Sequence, residues 1–271
     1  MKALVCSEFG STEDLELEER DNLEPGPGEV LIDVKAAGVN FPDILTIQGK
    51  YQFKPSLPFI PGTEVSGVVK KLGEGVTTRK VGDEVVGMVQ IGGFATQVVT
   101  SEFSTFSKSE NMSYEQAAGF AMTYGTSYYA LKQRAKIQPG ETLLVLGAAG
   151  GVGIASIQIA KAMGARVIAA ASSEDKLDFA CKAGADLRIN YSNENLKEKV
   201  KDLTKGKGAD VIYDPVGGDF SEQAFRAIAW DGRFLVIGFA SGPIPKMPLN
   251  LALLKGASMV GVFWGAWMKR E

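Results

Sequence analysis

The chain of 271 residues contains no histidine and only two cysteines, Cys6 and Cys181. The first absence removes every mechanism that needs an imidazole: a Ser-His-Asp triad, a Cys-His pair, an imidazole general base. Two thiols are too few for a four-thiolate zinc site, and a catalytic zinc would have to lean on carboxylates. The cysteines lie far apart, which argues against a disulfide framework and makes the cytoplasm the default compartment. No uncharged apolar run approaches the roughly 20 residues of a membrane-spanning helix. The N-terminus, Met1-Lys2-Ala3-Leu4-Val5-Cys6-Ser7-Glu8, meets a charge too early for a signal-peptide core. Positive charge is not in excess either: a net charge of −3 and a pI near 5.3 give no electrostatic footprint for nucleic acid. With 45% hydrophobic and 23% charged residues, this is the composition of a soluble globular protein. Its chemistry is expected to be metal-free and carried by a bound cofactor.

The run Gly147-Ala148-Ala149-Gly150-Gly151-Val152-Gly153 says which kind. It follows an apolar stretch, Thr142 to Leu146, and opens a segment, Ile154 to Met163, that reads as a helix ending at Gly164. Strand, glycine turn and helix together present free backbone N–H groups and the positive end of a helix dipole to a pyrophosphate. A glycine pattern alone is weak; with these flanks it predicts a dinucleotide site.

The chain divides into two textures. Up to residue 122 it is rich in short β-like segments, including Glu29–Ala36, Glu64–Leu72, Asp83–Met88 and Phe94–Thr100, separated by Gly and Pro turns. A compact β domain of barrel or sandwich type is expected. Its lone helix signal is at Ser113, with Gln116 as capping-box partner; the chain then leads through Tyr124 to Ala135 into the second domain. After Pro139-Gly140, strands alternate with helices. The predicted strands are Thr142–Leu146, Arg166–Ala170, Leu187–Asn190, Val211–Asp214, Phe234–Gly238 and Ser258–Phe263. Helices between them include Glu174–Ala183 and Leu196–Leu203. This alternation calls for a doubly wound parallel sheet, so the fold class is α/β with a β domain at 1–122 and a Rossmann domain at 123–271.

The end of the second Rossmann strand chooses between NAD and NADP. A carboxylate there would hold the ribose hydroxyls and repel a 2′-phosphate. Here the strand ends Ala169-Ala170-Ala171-Ser172-Ser173, without one. Ser173, Glu174 and Asp175 read as an ordinary helix start. Ser172 and Lys176 also read as a hydroxyl and an ammonium for a 2′-phosphate. Both readings can hold at once, and the residues favour NADPH.

At this point the sequence resembles a known family, the zinc-free quinone oxidoreductases of the medium-chain dehydrogenase/reductase superfamily. The resemblance spans essentially the whole chain. It lies in Ala37-Gly38-Val39-Asn40-Phe41-Pro42-Asp43, Gln48-Gly49-Lys50-Tyr51, Pro61-Gly62-Thr63-Glu64-Val65-Ser66-Gly67 and Val81-Gly82-Asp83-Glu84-Val85, and continues through the glycine run, Ile189-Asn190-Tyr191 and Tyr213-Asp214-Pro215-Val216-Gly217-Gly218. It implies a GroES-like β domain joined to a Rossmann domain. Thr63 stands where zinc-dependent relatives have a ligand histidine. Lys176 and Tyr191 are implied to hold the 2′-phosphate, and Asn40 and Thr126 to lie close to the nicotinamide. For these last two a helix-lining or turn-capping role is the plainer alternative. The cofactor set is completed by Ala149, Gly150, Gly151, Val152 and Ser172, with Gly238, Phe239 and Phe263 at the ends of the last strands.

The expected reaction is hydride transfer from NADPH to a quinone or an α,β-unsaturated carbonyl, with Asn40 and Tyr51 as catalytic residues. Such acceptors need a polarising donor and a final proton, not a Lewis acid. Tyr51 suits that role because a phenol is an acid at neutral pH; related enoyl-thioester reductases use a tyrosine in the matching stretch, and the alternative is an exposed loop aromatic. Asp43 is expected to tie down the loop that carries Asn40. An enoyl-thioester reductase and a non-catalytic NADPH-binding protein are the alternative functions. The family continues past the sixth Rossmann strand back into the β domain. This sequence stops at Glu271, with Trp264 and Trp267 close to its end. A fragment, or a partner covering those indoles, is therefore expected, the natural partner being a second copy joined through the last strand.

Overall fold

The computed structural model describes residues 1–268 and Arg270. The chain forms two compact units, Met1–Met122 and Thr123–Glu271. The first holds a short antiparallel ribbon, β1 (Lys2–Val5) with β2 (Glu16–Glu19). Its main sheet comprises β3 (Glu29–Gly38), β4 (Glu64–Leu72), β5 (Glu84–Met88), β6 (Gln97–Ser101) and β7 (Thr105–Ser107). They are antiparallel in the order β6-β3-β4-β5-β7. The core of this sheet is β-branched: Val30, Ile32, Val65, Val69, Val85 and Val98, side chains that pack well on a pleated surface.

Two α-helices lie wholly in this unit. α1 (Phe41–Ile47) has no counterpart among the elements expected from the sequence. Its start obeys ordinary rules: Asn40 at the N-cap, Pro42 in the first turn, and the Asp43 carboxylate accepting the Asn40 backbone N–H at 2.8 Å. α2 (Tyr114–Ala118) opens with the expected box. Ser113 Oγ accepts the Gln116 N–H at 3.2 Å, and Gln116 Oε1 accepts the Ser113 N–H at 3.0 Å.

α3 (Ala121–Tyr128) runs on into a π-helical stretch, Tyr129–Arg134. The second unit then alternates: β8 (Thr142–Leu146), α4 (Gly151–Ala162), β9 (Arg166–Ala171), α5 (Glu174–Lys182), β10 (Leu187–Asn190), α6 (Leu196–Leu203), β11 (Ala209–Asp214), α7 (Asp219–Arg226), β12 (Ile228–Val236), α8 (Leu249–Lys255), β13 (Ser258–Gly261) and the helical turn α9 (Trp264–Trp267). All strand pairs are parallel, in the order β10-β9-β8-β11-β12-β13. Numbered from β8, this is the 3-2-1-4-5-6 order of the Rossmann fold. Alternate residues of β8 feed opposite faces: Leu143 and Val145 join one core with Ile157, Val167 and Tyr213, whereas Leu144 and Leu146 join the other with Ile168, Ile212 and Phe225. At the amino ends of the strands, Arg233 grips Glu141 (2.9 Å through Nη1) and the Ala135 carbonyl (3.1 Å).

Two expectations are corrected. β12 covers Ile228–Val236 rather than Phe234–Gly238. Its pairing with β11 jumps from Ile228 to Arg233, because Asp231 adopts a φ of 58° and the chain bulges outward at Asp231-Gly232, exposing Trp230. The terminal indoles are not left in water. Trp264 is 9% exposed and lies so close to Gly125 that a Cβ there would come within 2.4 Å of the ring. Trp267 stacks on Tyr129 with ring centroids 5.0 Å apart. Both indoles therefore pack within the second unit. Trp264→Ala should lower the unfolding free energy by about 3 kcal/mol, the cost of emptying a buried aromatic site. A denaturant titration checks this, and an unshifted midpoint would contradict the packing.

Candidate functional site

The turn after β8 is shaped by its glycines. Gly147 has a φ of 57°, in the left-handed region, and any Cβ there would meet Val216 Cγ2 at 2.8 Å. A Cβ on Gly153 would lie 2.6 Å from the Gly147 carbonyl oxygen, so this glycine lets α4 sit tightly on the turn. Gly150 and Gly151 are exposed, and no side chain caps the start of α4. The N–H groups of its first turn, Gly151, Val152 and Gly153, have no intrahelical acceptors. Such a cradle of open N–H groups at a helix dipole's positive end fits an anionic phosphate, and added Cβ atoms would fill it.

Gly147, Ala149 and Gly150 line an open groove of ≈ 520 Å³ together with Ala171, Asp175, Lys176, Phe179 and Tyr191. Ser172 stands at the end of β9, where its Oγ accepts from Lys176 Nζ at 2.9 Å and its carbonyl accepts from Ser192 Oγ at 2.9 Å. Tyr191 packs against Phe220 with ring centroids 4.3 Å apart. Burial pushes the Tyr191 phenol up from its ordinary pKa, and the Ser172 hydroxyl beside it works the other way. Ser173 also caps α5 through the Lys176 N–H at 3.4 Å, so the two readings of this segment coexist. Glu174 is turned away, accepting from Asn190 Nδ2 at 2.7 Å. Asp175 is the one carboxylate lining the groove among the residues named.

The remaining expected cofactor residues of this unit follow the carboxyl ends of its strands, where ligands of doubly wound sheets bind. Asp214, at the end of β11, organises that rim. Its Oδ1 accepts the Val216 and Gly217 N–H groups, both at 2.9 Å, and its Oδ2 accepts Ser221 Oγ at 2.5 Å. The Gly238 N–H reaches the Asp214 carbonyl at 3.3 Å, and Phe239 lies on Gly217, where a Cβ would clash with the ring at 2.9 Å. Phe263 is half exposed beyond β13. Thr126 is half-buried on α3, next to Ser127, whose Oγ contacts the Val152 carbonyl at 3.1 Å and the Tyr213 hydroxyl at 2.9 Å. This buried pair fixes α3 against the glycine turn.

In the first unit, Asn40 and Tyr51 flank α1. Asp43 is 2% exposed; besides the Asn40 N–H, it accepts Thr63 Oγ1 at 3.1 Å. Asp43 thus ties the start of α1, and Asn40 with it, to Thr63. Burial pushes its carboxyl up to about 6, against the pull of those two hydrogen bonds. Glu64 is wholly buried and accepts from Asn40 Nδ2 at 2.9 Å and from the Met122 N–H at 2.8 Å. Burial raises its pKa, and the hydrogen bonds from Asn40 and Met122 oppose that. Tyr51 is half-buried; burial first, and then the Asp43 charge, raise its phenol pKa, so it stays protonated at neutral pH.

Sequence reasoning missed the hydrogen bond between Asn40 and Glu64 and the helix between Asn40 and Tyr51. The helix had a signal, since Asn40-x-Pro42-Asp43 is an N-cap, a first-turn proline and an N3 acid. Glu64 had none, because a glutamate beginning a strand reads as solvated.

Because the folded Asp43 carboxyl titrates near 6, above the ordinary value of about 3.9, folding retains a proton there. Its contribution is full below about pH 4 and is lost as pH rises through about 6. Against Asp43→Asn, the wild-type chain should lose on the order of 2 kcal/mol of stability between about pH 4 and 7. Urea unfolding across that range measures it, and parallel curves would refute it.

Comparison with known proteins places both units. Residues 26–138 match the family model described as the alcohol dehydrogenase GroES-like domain, and residues 151–271 match that described as zinc-binding dehydrogenase. The chain is 44% identical over 273 residues to the quinone oxidoreductase-like protein 2 homolog of Nematostella vectensis, covering 100% of this chain and 74% of that protein. It is 36% identical to the quinone oxidoreductase of Pseudomonas aeruginosa, over 96% of this chain and 80% of the relative. The structure of Escherichia coli quinone oxidoreductase complexed with NADPH aligns with a TM-score of 0.92 at 33% identity, covering 98% of this chain and 82% of that one. The antiparallel unit is thus the GroES-like domain and the parallel unit the Rossmann domain. By sequence and by fold, the chain belongs to the zinc-free quinone oxidoreductase family of the medium-chain dehydrogenases/reductases.

Proposed function

We propose that this chain is an NADPH-dependent, zinc-independent oxidoreductase acting on a quinone or an α,β-unsaturated carbonyl. The observation that carries the reading is that one groove is lined by both the glycine turn and Lys176, with Tyr191 on its wall. The glycine turn and the first turn of α4 bind a pyrophosphate through backbone N–H groups. Ser172, Lys176 and Tyr191 bind a 2′-phosphate, the ammonium supplying the charge. Val152, Thr126, Gly238, Phe239 and Phe263 bound the nicotinamide half. The complex of the Escherichia coli relative with NADPH supports this cofactor.

A reduced nicotinamide, when bound, supplies a hydride. Tyr51 holds a proton at its phenol oxygen, donates a hydrogen bond to the acceptor's carbonyl and gives the proton to the oxygen as it gains charge. Its raised pKa keeps that proton in place at neutral pH. Asn40 holds the ligand, and Asp43 and Thr63 hold the start of α1 beneath it. Thr63 at the zinc-ligand position and the lack of any histidine support zinc independence. The free thiols of Cys6 and Cys181 support a cytoplasmic location. The position of β13 at the edge of the parallel sheet supports a homodimer through that strand. In the described residues no helix is long and apolar enough to cross a membrane.

NADPH oxidation followed at the nicotinamide absorbance, with 9,10-phenanthrenequinone and with a simple enone, tests the reading, with NADH in parallel. Turnover preferring NADPH is expected; binding of NADPH with no turnover would reject the reductase. Lys176→Ala should weaken NADPH by about tenfold or more and leave NADH nearly unchanged, since it deletes a charge-assisted contact to the phosphate. Equal losses would discard the 2′-phosphate assignment. Tyr51→Phe should lower kcat with an enone by about 10²-fold while NADPH affinity holds. Unchanged turnover would make Tyr51 a packing residue.

A further inference from the structure

Glu64 opens β4 with no exposed surface, and hydrogen-bond donors meet both of its carboxylate oxygens: Asn40 Nδ2 at Oε1 and the Met122 N–H at Oε2. Room for this carboxylate is reserved by Gly38, at the end of β3. A Cβ there would fall 2.6 Å from Glu64 Oε1 and 2.3 Å from the Ala118 carbonyl oxygen. The Ala121 N–H adds a further backbone donor, and backbone and side-chain donors differ in freedom. A backbone N–H cannot be reversed, so Oε2 is committed to Met122. The Asn40 amide can turn over, but doing so would set its Oδ1 against Glu64 Oε1, two acceptors at hydrogen-bonding distance in a partly buried setting.

We propose that Glu64 is a positioning residue that fixes the Asn40 amide with Nδ2 on Glu64 and Oδ1 on the side of the first turn of α1, so that Asn40 meets its ligand as an acceptor. The group it recognises is then a hydrogen-bond donor, a hydroxyl or an N–H, and not a carbonyl oxygen. This rests on the reading of Asn40 as a ligand-holding residue. It also separates two roles: polarising the acceptor carbonyl falls to Tyr51, because a carbonyl oxygen would be repelled by Asn40 Oδ1.

Glu64→Gln is the discriminating change, since it keeps the volume and reverses the polarity. The introduced amide keeps its carbonyl on the Met122 N–H, its NH₂ faces Asn40, and the Asn40 amide must turn its oxygen inward. NADPH affinity, measured by nicotinamide fluorescence, should fall about tenfold, the worth of one misdirected hydrogen bond. The exchanged pair, Asn40→Asp with Glu64→Gln, again leaves an acceptor for the ligand and should recover affinity to within about threefold of wild type. Asn40→Asp alone faces two carboxylates together and should be the worst of the three. Wild-type affinity in Glu64→Gln, or a double variant no better than Glu64→Gln, would overturn the proposal.

A second readout needs neither ligand nor turnover. In the ligand-free full chain, the side-chain amide protons of Asn40 in a ¹H–¹⁵N spectrum should exchange slowly in wild type and lose that protection in Glu64→Gln. An unprotected Asn40 amide in wild type would overturn the proposal even if Glu64→Gln fails to fold. A wild-type chain that binds NADPH but reduces no quinone or enone would reject the reductase reading and leave the affinity comparison to decide this one.

Discussion

A strand buried on both faces cannot display chemistry along its length, and β8 is such a strand. Each of its five residues, Thr142 to Leu146, is buried, with alternate side chains committed to opposite cores. Every polar function of the parallel sheet is thereby displaced to the strand ends. The amino ends carry an ion pair, Arg233 with Glu141, which joins neighbouring segments. The carboxyl ends carry the glycine turn, the Ser172–Lys176 contact and the Asp214 network. The turn after β8 is narrow because Gly147 takes a left-handed backbone and Gly153 has no side chain to hold α4 off the turn. Its phosphate-shaped cradle is therefore a by-product of how closely α4 packs.

The GroES-like domain solves a different problem. Its sheet core is made of six buried β-branched residues, yet at one end of that sheet lie two buried carboxylates, Asp43 and Glu64. Burying a carboxylate is costly unless donors surround it. Asp43 has a backbone N–H and a hydroxyl, while Glu64 has the backbone N–H groups of Met122 and Ala121 and an amide. Asn40 takes part in both sets, through its main chain and its side chain. Such over-determination holds one residue in place at the cost of a raised carboxyl pKa nearby.

Much of this was legible in the sequence because it rests on local rules. The strands Glu64–Leu72, Thr142–Leu146 and Leu187–Asn190 and the helix Leu196–Leu203 have the boundaries that periodicity and turn residues imply. The Ser113–Gln116 capping box is as spaced. What periodicity did not reveal is tertiary in origin. The early start of β12 depends on a bulge at Asp231-Gly232, a dipeptide that reads as the end of a strand. The burial of Trp264 depends on the absence of a side chain at Gly125, far away in sequence. The Asn40–Glu64 hydrogen bond depends on the space left by Gly38, which alternation alone does not show.

The chain has three tryptophans, and Trp230, Trp264 and Trp267 all lie in the Rossmann domain. One is largely exposed on the β12 bulge, and the other two pack beside α3 and the turn after it. Intrinsic indole emission is consequently a one-sided witness. It follows the loosening of the parallel sheet and its C-terminal packing, and it is blind to the GroES-like domain. A melting curve recorded in that channel describes half of the molecule; a probe of backbone structure is required before the two halves can be said to unfold together.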